Sequence, residues 1–314
     1  MPQTSITYKG LPATILENES LRLTFLPQYA CKLVSLVSKR TGREFLFQPQ
    51  EETITVPTYG NSFSSSDEGG FTEVFPSLET CPYPQEPFTG TIIPDHGEIW
   101  ALPWSSVFSP NGYSVQATVE STNLPYALSR TTTLQNNEIH FDYTLQNNGD
   151  FPFKYIWMPY AVLACTVHTK LLIPGNLQHI VSVSYSSLRL GAWGTAHTYP
   201  ITKDIQHREM DLSQMEPPES HTCEKFYFTS TNQAGWCGIE HTDTAEQLIY
   251  MYDAEQLPYL GIWKNQGGCY GHYNLVLKPC TGVYDNLYLA HAIRRCSVVK
   301  PQSQVHWSLR MVIK

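Results

Sequence analysis

The sequence predicts an all-β protein, a sandwich or a barrel. Three observations predict it: short apolar runs of period two, dense turn punctuation, and almost no amphipathic helical pattern. The 22 prolines, 19 glycines and 12% aromatic residues suit many strands joined by turns. "SLRLTFLP" is the clearest strand, because Leu21, Leu23 and Phe25 alternate with Arg22 and Thr24. "KLVSLVSKRTGREFLFQP" follows as two strands around a turn at 39–42. "EIHFDYTLQNNGDFPFKYIWMPYAVLAC" repeats the idea, with Asn147, Asn148 and Gly149 suited to positive-φ turn positions. Further strands are expected in "EKFYFTS", "AEQLIYMYD", "LPYLGIW", "HYNLVLKP", "NLYLAHAI" and "VHWSLRMVIK". Two glycine- and proline-rich stretches interrupt this series. The stretch 57–103 is studded with Phe and Trp and is expected to be an ordered loop. The stretch 206–219, polar and containing "MEPPES", is expected to be a solvent-exposed connection. No repeat or compositional break marks a boundary, so one domain is expected over residues 1–314.

Charge narrows the function. Twenty Lys and Arg face 28 Asp and Glu, a formal charge of −8 without any basic cluster. Nucleic acid binding rests on clustered cations that neutralise phosphates, so it is excluded. No run approaches ~18 apolar residues, so no membrane-spanning helix is expected. The first twenty residues carry neither a basic leader nor an apolar core, and a cytoplasmic location is expected. Eight cysteines lie scattered without CxxC spacing, which favours reduced, mostly buried thiols.

Chemistry concentrates in "IPDHGEIWALPW", which packs Asp95, His96, Glu98, Trp100 and Trp104 together. Sugar sites need this mixture: flat apolar faces to stack on the C–H surface of a pyranose, and forked polar groups for its hydroxyls. A plain turn, with its tryptophans in the core, is the equal alternative. "GGFTEVFPSLETC" adds Glu73 and Glu79 behind two glycines. Asp95, His96 and Glu98 lack a second ligand pair at zinc spacing, so no metal is expected. No cofactor is implied either.

The order of these segments resembles the aldose 1-epimerase, or galactose mutarotase-like, family. "ENESLRLTFLPQYACKLVSLVSKRTGREFLF", "GGFTEVFP", "PDHGEIWALPW", "YIWMPYAVLA", "LPYLGIWKNQGG", "LVLKPCTGVYDNLYLA" and "VHWSLRMVIK" follow in that family's order, over roughly residues 10–314. The resemblance implies a single large antiparallel β-supersandwich holding a hexose in a concave cleft. It implies ring opening at the anomeric carbon by a base and an acid of complementary protonation. It also puts Lys278 where the family has its glutamate base, and Met158 where it has a histidine acid, while the histidine of the HG motif is kept as His96.

These two departures bear on mechanism. A thioether has no transferable proton, and a lysine is normally protonated at neutral pH. Lys278 therefore has several readings: a salt bridge to Glu73 or Glu98, recognition of an acidic sugar, or amine chemistry on an open-chain aldehyde. A displaced pair, His96 as acid with Glu73 or Glu98 as base, is another. The candidate catalytic residues are thus His96, Lys278, Glu73 and Glu98. Trp100, Trp157, Tyr160 and Trp263 are candidate sugar-binding residues, each with an ordinary core role as the alternative. Arg130, Lys154 and Lys264 are further cations that nothing in the sequence selects. The expected partner is a small-molecule sugar, neutral or acidic, either isomerised at its anomeric carbon or bound by a catalytically inactive carbohydrate-binding or sensing module. A scaffold that binds a partner protein is a third, weaker reading.

Overall fold

Strand alternation dictates the architecture. Along Tyr126–Gln135 buried and partly exposed residues alternate almost without break, so one face packs and the other meets solvent. The computed structural model describes residues 4–65, 69–184 and 188–314. Three antiparallel sheets dominate it. The first has six strands in the order Thr4–Tyr8, Leu11–Glu17, Leu21–Leu26, Lys32–Ser38, Phe71–Val74 and Met158–Ala161. The second has eight, in the order Thr169–Leu172, Trp236–His241, Glu246–Tyr252, Ser303–Ile313, Glu138–Asn147, Tyr126–Gln135, Ser114–Glu120 and Ser105–Phe108. The third has six: Leu163–Ala164, Tyr273–Cys280, Tyr259–Gln266, Thr222–Phe228, His179–Ser182 and Ala196–Thr198. One hydrophobic cluster, from Ala13 to Ile313, runs through all three. The all-β expectation holds. Among the described residues no helix is long and apolar enough to cross a membrane.

Several local expectations fail for identifiable reasons. "NLYLAHAI" is not a strand but the α-helix Leu287–Ala292, started by Asn286, whose side-chain oxygen accepts from Leu289 N at 3.1 Å. The turn at 39–42 is present, but the chain returning from it makes only isolated bridges. Glu44 explains this: its carboxylate accepts from the Leu36 and Leu46 amides, in place of ladder carbonyls. At Asn147–Gly149 no positive φ is used. Instead, Asn147 closes the turn with its side chain, accepting from Gly149 N and donating to Phe151 O. The stretch 206–219 is not simply exposed, since Met210, Leu212 and Met215 are buried and Glu209–Asp211 pairs with Ile201–Lys203. The stretch 57–103 is ordered wherever it is described. It contributes Phe71–Val74 to the first sheet and the short 3-10 turns Phe63–Ser65 and Ile99–Ala101.

Candidate functional site

The His96–Gly97 pair sets the site. Both residues adopt left-handed backbone, with φ of 58° and 79°. Gly97 has no alternative: a Cβ there would lie 2.1 Å from the Phe75 carbonyl oxygen. His96 N donates to Leu78 O at 2.6 Å, and Glu98 N to Phe75 O at 2.8 Å, which fixes the turn against the end of Phe71–Val74. The imidazole then stacks on Phe63 at 4.0 Å and meets Tyr160 edge-on at 5.0 Å. Its Nδ1 lies 2.8 Å from the Asp95 carboxylate, which also accepts from Phe63 N. Burial raises the Asp95 carboxyl, but the His96 hydrogen bond and charge outweigh it and hold it below its usual range.

Around His96 lies a cavity of about 150 Å³, lined by Phe63, Ser64, Asp95, His96, Tyr160, Val162, Trp263, Cys269, Tyr270 and Asn274. At ~30 Å³ per water this is about five waters, the room for a small polyol or one end of a monosaccharide. Two of its polar groups are unmatched. His96 Nε2 and both carboxamide atoms of Asn274 are buried, with no hydrogen-bond partner among the described residues. Each such group costs about 1–3 kcal/mol, so three in one small wall is a feature to explain.

The other candidates are elsewhere. Glu73 is buried and paired to Arg130 at 2.6 Å, and it also accepts from Tyr143 OH at 2.9 Å. Glu98 accepts from Tyr126 OH at 2.7 Å and from Tyr59 OH and Ser121 Oγ, each at 2.9 Å. Burial and the Glu98 charge push the Tyr59 phenol up to about 12. Neither glutamate lines the His96 cavity or pairs with Lys278, so the expected salt bridge from either to Lys278 is corrected. Trp100 is buried beneath the site, its indole N–H donating to Asp95 O at 2.9 Å. Trp157 packs in the core against Tyr143 and Trp307. Both tryptophans are buried, and neither is among the residues lining the cavity. Tyr160 and Trp263 do line the cavity, and the Trp263 N–H donates to Cys223 Sγ at 3.1 Å. Lys264 donates to Leu212 O and Gln214 O.

Lys278 pairs with Asp285, seven residues on, at 2.8 Å. It sits over the Tyr227 ring, 4.8 Å from the centroid. Asp285 also takes Lys225 at 2.7 Å and the Tyr227 hydroxyl at 2.5 Å. Burial lowers the Lys278 ammonium while Asp285 opposes that shift. Burial likewise raises the Asp285 carboxyl, but Lys225 and Lys278 overcome it and hold it far below the usual range. Asp285, not Lys278, reaches a second recess of about 300 Å³ with Glu79, Trp193 and Tyr284. Asn274 and Lys278 share one face of the strand Tyr273–Cys280, about 13 Å apart at ~3.3 Å per residue. Met158 is buried in the strand Met158–Ala161, opposite Val74.

Sequence reasoning overlooked Asn274, Phe63 and Cys269. Only Asn274 carried a signal, as a carboxamide directly before the apolar run Leu275–Leu277.

No family model matches the chain, and no curated protein matches it. Solved structures do. A protein from Synechocystis sp. PCC 6803 is similar with a TM-score of 0.74 at 16% identity, over 100% of this chain and 99% of that one. A galactose mutarotase related enzyme from Lactobacillus acidophilus gives 0.68 at 11% identity, over 96% of this chain and 97% of its own. A galactose mutarotase-like protein from Lactobacillus casei gives the same score and identity, over 96% of this chain and all of its own. Such identities speak for architecture alone. The chain has the galactose mutarotase-like fold.

Proposed function

We propose that this protein binds a neutral monosaccharide, or a polyol of that size, in the His96–Trp263 cavity, as a binding module without efficient ring opening. The observation that carries this reading is the set of unmatched polar atoms on Asn274 and His96. A carboxamide offers a donor and an acceptor in one plane, the pattern that grips vicinal hydroxyls. Tyr160 and Trp263 supply aromatic surface for the C–H face. Among the described residues the wall carries one carboxylate and no lysine or arginine, so a neutral ligand suits it better than an acidic one. Mutarotation needs two proton-transfer groups at one sugar. The family resemblance would put these at Met158 and Lys278; the first is buried beside Val74 and the second is held by Asp285. The Asp95–His96 pair remains as one proton-transfer unit. Losing one of two such groups typically removes 10²–10⁴-fold in rate.

NMR on the purified chain tests both halves. Titration with neutral and acidic hexoses should give saturable shifts of tryptophan indole signals with neutral sugars, lost in Asn274→Leu. Anomer exchange should stay within about tenfold of buffer. No saturable binding across the panel would end the proposal. Rapid exchange abolished by His96→Ala would instead show that the Asp95–His96 unit suffices for catalysis.

A further inference from the structure

Cys223 and Cys269 lie on separate segments, yet their sulfurs are 2.9 Å apart. Cys223 is buried near the start of Thr222–Phe228, whereas Cys269 is half-buried in the turn between Tyr259–Gln266 and Tyr273–Cys280. The backbone holds them together. Thr222 bridges Gly267, and a Cβ on Gly268 would lie 2.6 Å from the Thr222 carbonyl carbon and 3.0 Å from Cys223 N. Asn265 clamps the turn from both sides, donating to Cys269 O at 2.9 Å and accepting from Cys269 N at 3.0 Å. The Trp263 indole completes the pocket on Cys223 Sγ. By contrast, the thiols of Cys165 and Cys280 rest on backbone carbonyls, and that of Cys81 on the Ser77 hydroxyl.

We propose that Cys223 and Cys269 form a peroxide-reactive dithiol that closes to a disulfide in the wall of the His96 cavity. Cys269 faces the cavity and attacks; Cys223 lies behind it and resolves. The Cys269 contact and burial hold the Cys223 thiol well above its ordinary range, and Cys269 is the more exposed of the two, lining the cavity that peroxide must enter. The Cys269 thiolate, its proton released to water, attacks one oxygen of hydrogen peroxide. An S–O bond forms, the O–O bond breaks, and the departing hydroxide takes up a proton as water. The Cys223 sulfur then attacks the Cys269 sulfenic acid. An S–S bond forms, the S–O bond breaks, and the Cys223 proton leaves with the hydroxide as a second water. Two thiols lose two electrons and one peroxide gains them. The product ties the Cys269 turn to Thr222–Phe228. This thiol chemistry stands whether or not the cavity takes a sugar.

The test is thiol counting by intact mass on the full chain, with a modest excess of hydrogen peroxide, then denaturation and N-ethylmaleimide. The wild type should lose two of its eight alkylatable thiols and regain both with dithiothreitol, and peptide mapping should recover a Cys223–Cys269 cross-link. Cys269→Ser should keep all its remaining thiols. Cys223→Ser should instead accumulate a dimedone-trappable sulfenic acid on Cys269. Eight alkylatable thiols persisting in the treated wild type, or a cross-link joining other cysteines, would overturn the proposal.

Discussion

The strand Tyr273–Cys280 carries two regions that handle buried polarity in opposite ways. At Lys278 every charge is answered: Asp285 takes Lys278, Lys225 and the Tyr227 hydroxyl at once. Four residues earlier, Asn274 has a buried carboxamide with neither atom matched, beside a histidine with an unmatched nitrogen. The sequence makes Lys278 the conspicuous residue and Asn274 the unremarked one. Satisfaction reverses that ranking. A buried charge with partners is explained by the fold, whereas a buried amide without them is the group on which the proposed ligand rests.

Substitutions at the two regions should act in opposite directions. The largest effect is expected from Lys278→Met. Stripping one partner from a buried ion pair costs about 3–5 kcal/mol, and Lys225 remains on Asp285, so a loss of about 3 kcal/mol is expected by urea unfolding at neutral pH. A loss below about 1 kcal/mol would mean the cluster is not structural. Next comes acid. The folded Asp285 carboxyl lies below its unfolded value of ~3.9. The unfolded chain therefore takes the proton first, so this stabilisation is complete above about pH 4 and fades as pH falls through the folded value. Urea midpoints measured across that range should fall less steeply in Asp285→Asn. Asn274→Leu should do the reverse of Lys278→Met, leaving stability unchanged or raising it by about 1 kcal/mol, because two unmatched polar atoms are removed. The smallest change is expected from Trp263→Phe, which gives up one N–H···S contact. Its stability should shift by less than about 1 kcal/mol, while any sugar affinity falls several-fold.

The all-β class was legible because period-two alternation is a local property, as where Leu21, Leu23 and Phe25 alternate with Arg22 and Thr24 in the strand Leu21–Leu26. The helix at Leu287–Ala292 was misread because six residues are too few for a helical period to show. Its one sign was the asparagine cap. Of the site, His96, Tyr160 and Trp263 were named in advance and meet in one cavity. Glu73 and Glu98 were legible as carboxylates but not as engaged ones, since Arg130, Tyr143, Tyr126 and Ser121 reach them only through tertiary packing. The Asp285 partnership was hidden for the same reason: nothing local tells that a turn residue folds back beneath the strand that precedes it.

Gly97 has one more consequence. The direction of the imidazole is decided by a neighbour that has no side chain, since a methyl group there would run into the Phe75 carbonyl. Replacing that glycine with alanine would keep every atom of His96 and still turn its ring off Phe63. The aim of the histidine is thus a separate inheritance from its chemistry, and either could be lost while the other survives.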